Sequence, residues 1–175
     1  MYRATEGFGR IFSTPLPSGD QGTRKTLAAM VKLSDQGSRD PLLRERVVRV
    51  LGAAGVSPHN VLGQVNAWFN FVRDQIYFLH DPVATEWLQT PRYTLHAGSG
   101  DCDDRAVLLA AGLKSFGVPA SFKVVAADPR RRDTYTHVYV VARQFGRDLA
   151  LDPTYASNAL GDEPPFIYRT WMVPA

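Results

Sequence analysis

The sequence predicts an α+β domain, with helices first and an antiparallel sheet after them, and three observations carry this. Apolar residues recur at helical spacing in three stretches between residues 23 and 76. A glycine-rich turn, Gly98-Ser99-Gly100, then leads the only cysteine, Cys102, into a fourth helical run of Ala106, Leu109, Ala110, Leu113 and Phe116. Finally, β-branched and aromatic residues fill 120–127, 134–143 and 148–152, at the spacing of an antiparallel meander. No internal repeat, low-complexity tract or glycine-rich phosphate loop interrupts the pattern.

Taken in order, residues 1–22 read as an N-terminal arm and 23–175 as a single domain. The arm holds four glycines and two prolines, too many for a packed element. Phe8, Ile11, Phe12 and Leu16 would leave an apolar strip in water. The arm is therefore expected to contact a partner protein or a second copy of the chain through residues 1–20. A first helix spans 23–34 and buries Leu27, Met30 and Val31. Asp40-Pro41 reads as an N-cap with proline at the first helical position. That second helix runs to about Ala54, buries Leu43, Val47, Val50 and Leu51, and stops at Gly55. The third starts near Asn60, with Val61, Val65, Trp68, Phe69, Val72 and Ile76 on the helical period. These aromatics read as core packing.

Residues 77–97 read as mostly irregular, a long loop that forms one wall of a cleft before the cysteine. After the Cys102 helix, Gly117-Val118-Pro119 punctuates the chain. Arg130-Arg131-Arg132 reads as a solvated hairpin tip between two strands. Phe145-Gly146-Arg147-Asp148 gives a tight turn. Residues 161–165 form a loop, and Phe166 to Val173 a last strand.

Composition narrows the function. The chain is 45% hydrophobic and 21% charged, as usual for a soluble globular protein. A net charge of +3 is a weak argument for nucleic acid, and none is expected as a partner. One cysteine allows no internal disulfide. No signal peptide or membrane span is read. Paired C-x-x-C or H-x-x-x-H spacing for zinc is missing, as is a calcium loop, so no metal and no cofactor are expected.

The chemistry centres on Cys102. A lone cysteine is often a small buried hydrophobe, but Asp101, Asp103, Asp104 and Arg105 do not suit a dry core. At a helix N-terminus, unpaired N–H groups favour thiolate over thiol. The three carboxylates oppose this unless they turn away into capping bonds. The expectation is a thiol more acidic than usual. Gly98 and Gly100 let a substrate approach closely. His137 opens a β-branched run, sharing one strand face with Tyr139 and Val141 while Val138, Val140 and Ala142 share the other. Asp152 ends a short strand at Pro153, able to face the His137 imidazole. Cys102, His137 and Asp152 thus supply nucleophile, base and orienting carboxylate. His80 and His96 are rival bases in polar loops, without a strand-end carboxylate. Trp87 or Gln89 could give an oxyanion donor beside the Cys102 N–H, with Trp87 packed under the loop as the other reading.

Gly-Asp-Cys-Asp-Asp before an apolar helix, then His-Val-Tyr-Val, then Leu-Asp-Pro-Thr, resembles the transglutaminase-like superfamily of cysteine enzymes. It is most similar to short transglutaminase-like proteins of tailed phages and prophages. The resemblance covers roughly residues 20–160, with weaker support from Gly22-Thr23, Phe71–Asp74, Ile76-Tyr77 and Glu86–Pro91. It implies a papain-like core in which N-terminal helices and the nucleophile-bearing helix pack on an antiparallel sheet. It also implies Cys102, His137 and Asp152 as a triad, with no cofactor. The expected activity is that of a peptidase, amidase or acyltransferase on a peptide or protein substrate, peptidoglycan peptides included, with water or an amine as acyl acceptor. The alternative is a structural virion component of the tail tip, baseplate or neck, with an incidental or vestigial triad and phage structural proteins as partners. Either would be made in the host cytoplasm, with virion association possible without a signal peptide.

Overall fold

A computed structural model describes residues 11–14, 19–81, 86–144 and 146–175. Three helices come first: α1 (Asp20–Ser38), α2 (Pro41–Ala53) and α3 (Val61–Gln75). Their starts follow capping chemistry. The Asp40 carboxylate accepts from Leu42 N–H with Pro41 at the first position, and Asn60 accepts from Gly63 N–H. The first helix is longer than 23–34 and begins inside the expected arm. Its buried stripe is Leu27, Met30 and Leu33, with Val31 half-buried. In α2, Leu43 and Val47 are buried while Val50 and Leu51 only border the core.

Residues 77–97 are more regular than expected. They hold strands β2 (Tyr77–Phe78) and β3 (Glu86–Gln89) and helix α4 (Pro91–Ala97). The helix is a single short piece between Thr90, whose side chain accepts from Tyr93 N–H, and Gly98, whose φ of 67° closes it in the left-handed region. Strand β1 (Ile11–Thr14) pairs antiparallel with β3 of the same chain. That part of the arm therefore pairs with its own domain; Phe8 and Leu16 lie outside the described residues.

Helix α5 (Cys102–Ser115) runs through the centre. The apolar stripe read from the sequence understates it, because every residue from Asp104 to Leu113 is buried. With α1, α3 and α4 around it and the sheet beside it, this helix has no solvent face to mark a polar side. Gly112 is required by that closeness. A Cβ there would lie 2.1 Å from the indole of Trp68, which is itself fully buried and donates from Nε1 to Leu109 O at 3.1 Å.

The main sheet has the order β7-β6-β5-β8, all antiparallel. Its strands are β5 (Ala120–Ala126), β6 (His137–Gln144), β7 (Arg147–Leu151) and β8 (Arg169–Pro174). The first three form the expected meander, and β8 returns to the free side of β5. Val138, Val140 and Ala142 face the helices, while Tyr139 and Val141 form a second cluster with Val125 and Ala150. The alternation read in the sequence is thus the real division of faces. Among the described residues, no helix is long and apolar enough to cross a membrane.

Candidate active site

Cys102 is the first residue of α5. Parallel pairing of β2 with β4 (Ser99–Gly100) brings the glycine turn against the end of α3. Asp101 then caps α5: its carboxylate accepts from Asp103 N–H at 3.0 Å and Asp104 N–H at 3.2 Å. Asp104 closes the reciprocal bond to Asp101 N–H at 3.4 Å. The cap engages the N–H groups of 103 and 104 and not that of Cys102, which stays aligned with the positive end of the helix.

The capping bonds do absorb Asp101 and Asp104, but not Asp103. The Cys102 thiol donates to Asp103 Oδ1 at 3.7 Å. Burial pushes the thiol up, and the charges of Asp103 and Asp101 push it further; the Val138 backbone N–H at the sulfur pulls the other way. The expected acidic thiol is therefore corrected. Burial, with the carboxylates beside the sulfur, outweighs one helix end. Alkylation of Cys102 by iodoacetamide should accelerate only above the ordinary thiol value of about 8.5, and Asp103→Asn should move the curve to lower pH. A wild-type midpoint below that value would restore the thiolate reading.

His137 opens β6, and Asp152 follows the last residue of β7. The imidazole Nε2 and Asp152 Oδ2 are 2.8 Å apart. Asp152 is wholly buried, and its other oxygen accepts from Thr154 N–H at 3.0 Å. Burial acts to raise its carboxyl, but the bond and charge of His137, with the Thr154 N–H, hold it below the usual range. An ionised Asp152 keeps the proton on Nε2, so Nδ1 carries the lone pair. The ring also stacks on Tyr139 at 5.8 Å, and the Tyr139 hydroxyl donates to Glu163.

Cys102 and His137 open onto two hollows. One, of about 250 Å³, is walled by Thr26 and Met30 of α1 and by Tyr135. The other, of about 560 Å³, is walled by Phe78, His80, Thr154, Tyr155 and Pro164. His80 thus shares the cleft, while His96 lies at a separate hollow beside α2. His137 is the one bonded, among the described residues, to the buried strand-end carboxylate of Asp152.

Trp87 and Gln89 sit on β3 and line neither hollow. Trp87 is 36% exposed rather than packed beneath a loop. Gln89 is tied to α5, since its N–H donates to Asp104 Oδ1 at 2.7 Å, and its side-chain Oε1 is buried without a hydrogen-bond partner. Sequence reading missed Asp104 as the link between β3 and the nucleophile helix. The signal was there: an aspartate three residues after an N-cap aspartate.

Residues 53–146 match the family model of the transglutaminase-like superfamily. That span holds Cys102 and His137 and ends before Asp152. Among solved structures, the chain is similar to "a putative cysteine protease" from Cytophaga hutchinsonii, at 20% identity and a TM-score of 0.51, covering 69% of this chain and 37% of that one. It is also similar to "a putative protease" from Parabacteroides distasonis, at 19% identity and a TM-score of 0.50, covering 72% and 26%. These likenesses concern the fold, and the chain spans well under half the length of either protein. No curated protein matches the chain.

Proposed function

The chain belongs to the transglutaminase-like superfamily, and from that premise we propose that it is a cysteine peptidase or amidase working through Cys102, His137 and Asp152. The observation that carries this is the 2.8 Å bond from His137 Nε2 to buried Asp152, made by a histidine that lines the same cleft as Cys102. Nδ1 accepts the thiol proton as sulfur attacks a carbonyl carbon. Because the thiol is held neutral at rest, proton loss and attack occur together. The oxyanion forms beside the Cys102 N–H at the start of α5. His137 then protonates the leaving amine, which departs and leaves a thioester on Cys102. Water, deprotonated by Nδ1, attacks the thioester and releases the acid.

The substrate is an extended peptide. Phe78, Tyr155 and Pro164 give the larger hollow apolar walls on one side of the sulfur, and the α1 hollow takes the other side. Both hollows reach Cys102 from solvent, which favours water over an amine as acceptor. The tailed-phage affinity rests on the sequence resemblance alone. The structural-component reading loses support at residues 11–14, which pair with β3 of the same chain.

The test is incubation with a pool of blocked peptides in ¹⁸O-water, with intact-mass analysis of acid-quenched protein. The expected result is an acyl adduct confined to Cys102 and one ¹⁸O in each new carboxylate, both lost in Cys102→Ala. Transfer to added primary amine in place of water would make the protein a crosslinking acyltransferase. Folded wild-type protein with no adduct and no turnover would overturn the enzyme reading.

A further inference from the structure

Arg105 is a buried cation that the proposed chemistry leaves unused. It lies three residues after Cys102 on α5 and is 2% exposed. Among the described residues its guanidinium donates only to backbone carbonyls: Nη2 to Val72 O at 3.2 Å and Arg73 O at 2.8 Å, and Nη1 to Thr154 O at 3.2 Å. Its Nε is buried with no hydrogen-bond partner. A charge taken out of water this way is costly unless something compensates it.

Two features do. Val72 and Arg73 belong to the last turn of α3, where carbonyls lack helical partners and the helix carries its negative end. Burial lowers the Arg105 pKa, and the negative charges of Asp152 and Asp74 act against that. Arg105 therefore sits between a helix end on one side and the Asp152 turn on the other.

The bond to Thr154 is the one that a purely structural cap of α3 would not need. Thr154 O is held by Arg105, Thr154 N–H is held by Asp152 Oδ1, and Asp152 Oδ2 is held by His137. A second tether reaches the same turn from α3: Arg73 Nη1 donates to Asn158 O at 2.7 Å, and Asn158 Nδ2 donates to Asp152 O at 3.0 Å. The turn that carries the carboxylate is clamped to the helix that carries the cysteine.

We infer that Arg105 is a positioning residue for the Cys102-His137-Asp152 set, fixing the 152–154 turn, and through it the His137 imidazole, relative to the start of α5. This rests on the reading of that set as the active site. The planar fork of arginine spans carbonyls on two separate segments, which a lysine ammonium cannot do.

The experiment compares wild type with Arg105→Lys and Asn158→Ala by thermal melting, kcat and KM on a peptide found in the pool, and proton NMR of the His137 Nε2–H. In Arg105→Lys the protein remains folded, kcat falls about 10- to 100-fold with KM within about twofold, since about 1 Å of misplacement can cost that much. The low-field Nε2–H signal of the His137–Asp152 bond moves upfield or broadens away. Asn158→Ala, which removes the other tether without touching the buried charge, gives the same signature at smaller size. Should Arg105→Lys not fold, Arg105→Gln, which removes the charge and keeps a donor, is read in the same way. An unchanged Nε2–H signal in a folded variant overturns the inference, as does loss of folding in both Arg105 variants. Failure of the active-site reading looks different: wild type would show no turnover, and His137→Ala would leave Cys102 alkylation unchanged, while the NMR signal would still report on Arg105.

Discussion

Asp152→Asn should reduce turnover by roughly 10³- to 10⁴-fold while leaving the fold intact, the size of effect seen when the orienting carboxylate of a serine triad is replaced in this way. The geometry explains why an isosteric change is so severe. Asp152 accepts two hydrogen bonds, from His137 Nε2–H and from Thr154 N–H. Asparagine has one oxygen to offer. The backbone N–H of Thr154 cannot change its role, so the amide oxygen must face it and the NH₂ must face His137. The imidazole can satisfy that NH₂ only by presenting Nε2 as an acceptor, which moves its proton to Nδ1. The nitrogen meant to receive the thiol proton is then already protonated. Every buried group stays bonded, so melting at neutral pH should change little. Acid behaviour should differ with a definite sign. The folded-state pKa of Asp152 is lowered, so the stability it supplies is present above the unfolded value of about 3.9 and is lost as pH falls through the folded one. The variant does not titrate there, so from near-equal melting at neutral pH the wild type loses stability relative to it as pH falls. A variant with full turnover and a lower melting temperature would make Asp152 a capping residue of the turn at Pro153.

Much of the site was legible because its residues stand at element boundaries, where sequence signals are local. Cys102 precedes a periodic apolar run, His137 begins a β-branched one, and Asp152 is stopped by Pro153. The wall before the cysteine was misread because its elements are short. A two-residue strand such as β2 has no alternation to detect, and α4 spans barely two turns. Thr90-Pro91 at one end and Gly98 at the other were sufficient signals for α4, but they are capping signals rather than periodic ones. What the sequence withheld was long-range. The acidity of Cys102 turns first on its burial and then on which way Asp103 points, and the roles of Asp104 and Arg105 turn on partners 15 and 49 residues distant. A cluster of charges beside a cysteine argues against a dry core by composition, yet Asp104 and Arg105 are both buried. Arg105 is met by carbonyls of α3 and of Thr154 together with the charges of Asp152 and Asp74, and Asp104 by backbone N–H groups and a raised pKa, none of which a residue pattern displays.

Asp104→Asn should stabilise the protein increasingly as pH rises from 4 to 8. Asp104 is 1% exposed and sits so close to β4 that a Cβ on Gly100 would lie 2.6 Å from its own. Burial is the main force pushing its carboxyl up to about 8; the charges of Asp101 and Asp81 add to it, and the N–H groups of Gln89 and Asp101 pull down. The folded state therefore holds a proton that the unfolded chain, with a carboxyl near 3.9, releases across this range. Stability from this group is greatest at the acid end, declines as pH rises, and levels off above about 8. At about 1.4 kcal/mol per unit the full span is on the order of 5 kcal/mol, reduced by whatever relaxation the buried charge induces. Asparagine keeps an oxygen for Gln89 N–H and removes the charge without opening a void, at the cost of the long 3.4 Å bond from Asp101 N–H. At pH 5 the variant and wild type should melt within a few degrees of each other. At pH 8.5 the variant should melt higher by roughly 5–15 °C, since each kcal/mol shifts a domain of this size by about 2–4 °C. Taking the difference between the two melting curves cancels the other titrating groups, Asp152 included. Parallel dependence of both melting temperatures on pH would show that Asp104 is ionised throughout the range, with its charge met by the Gln89 and Asp101 N–H groups rather than by a proton.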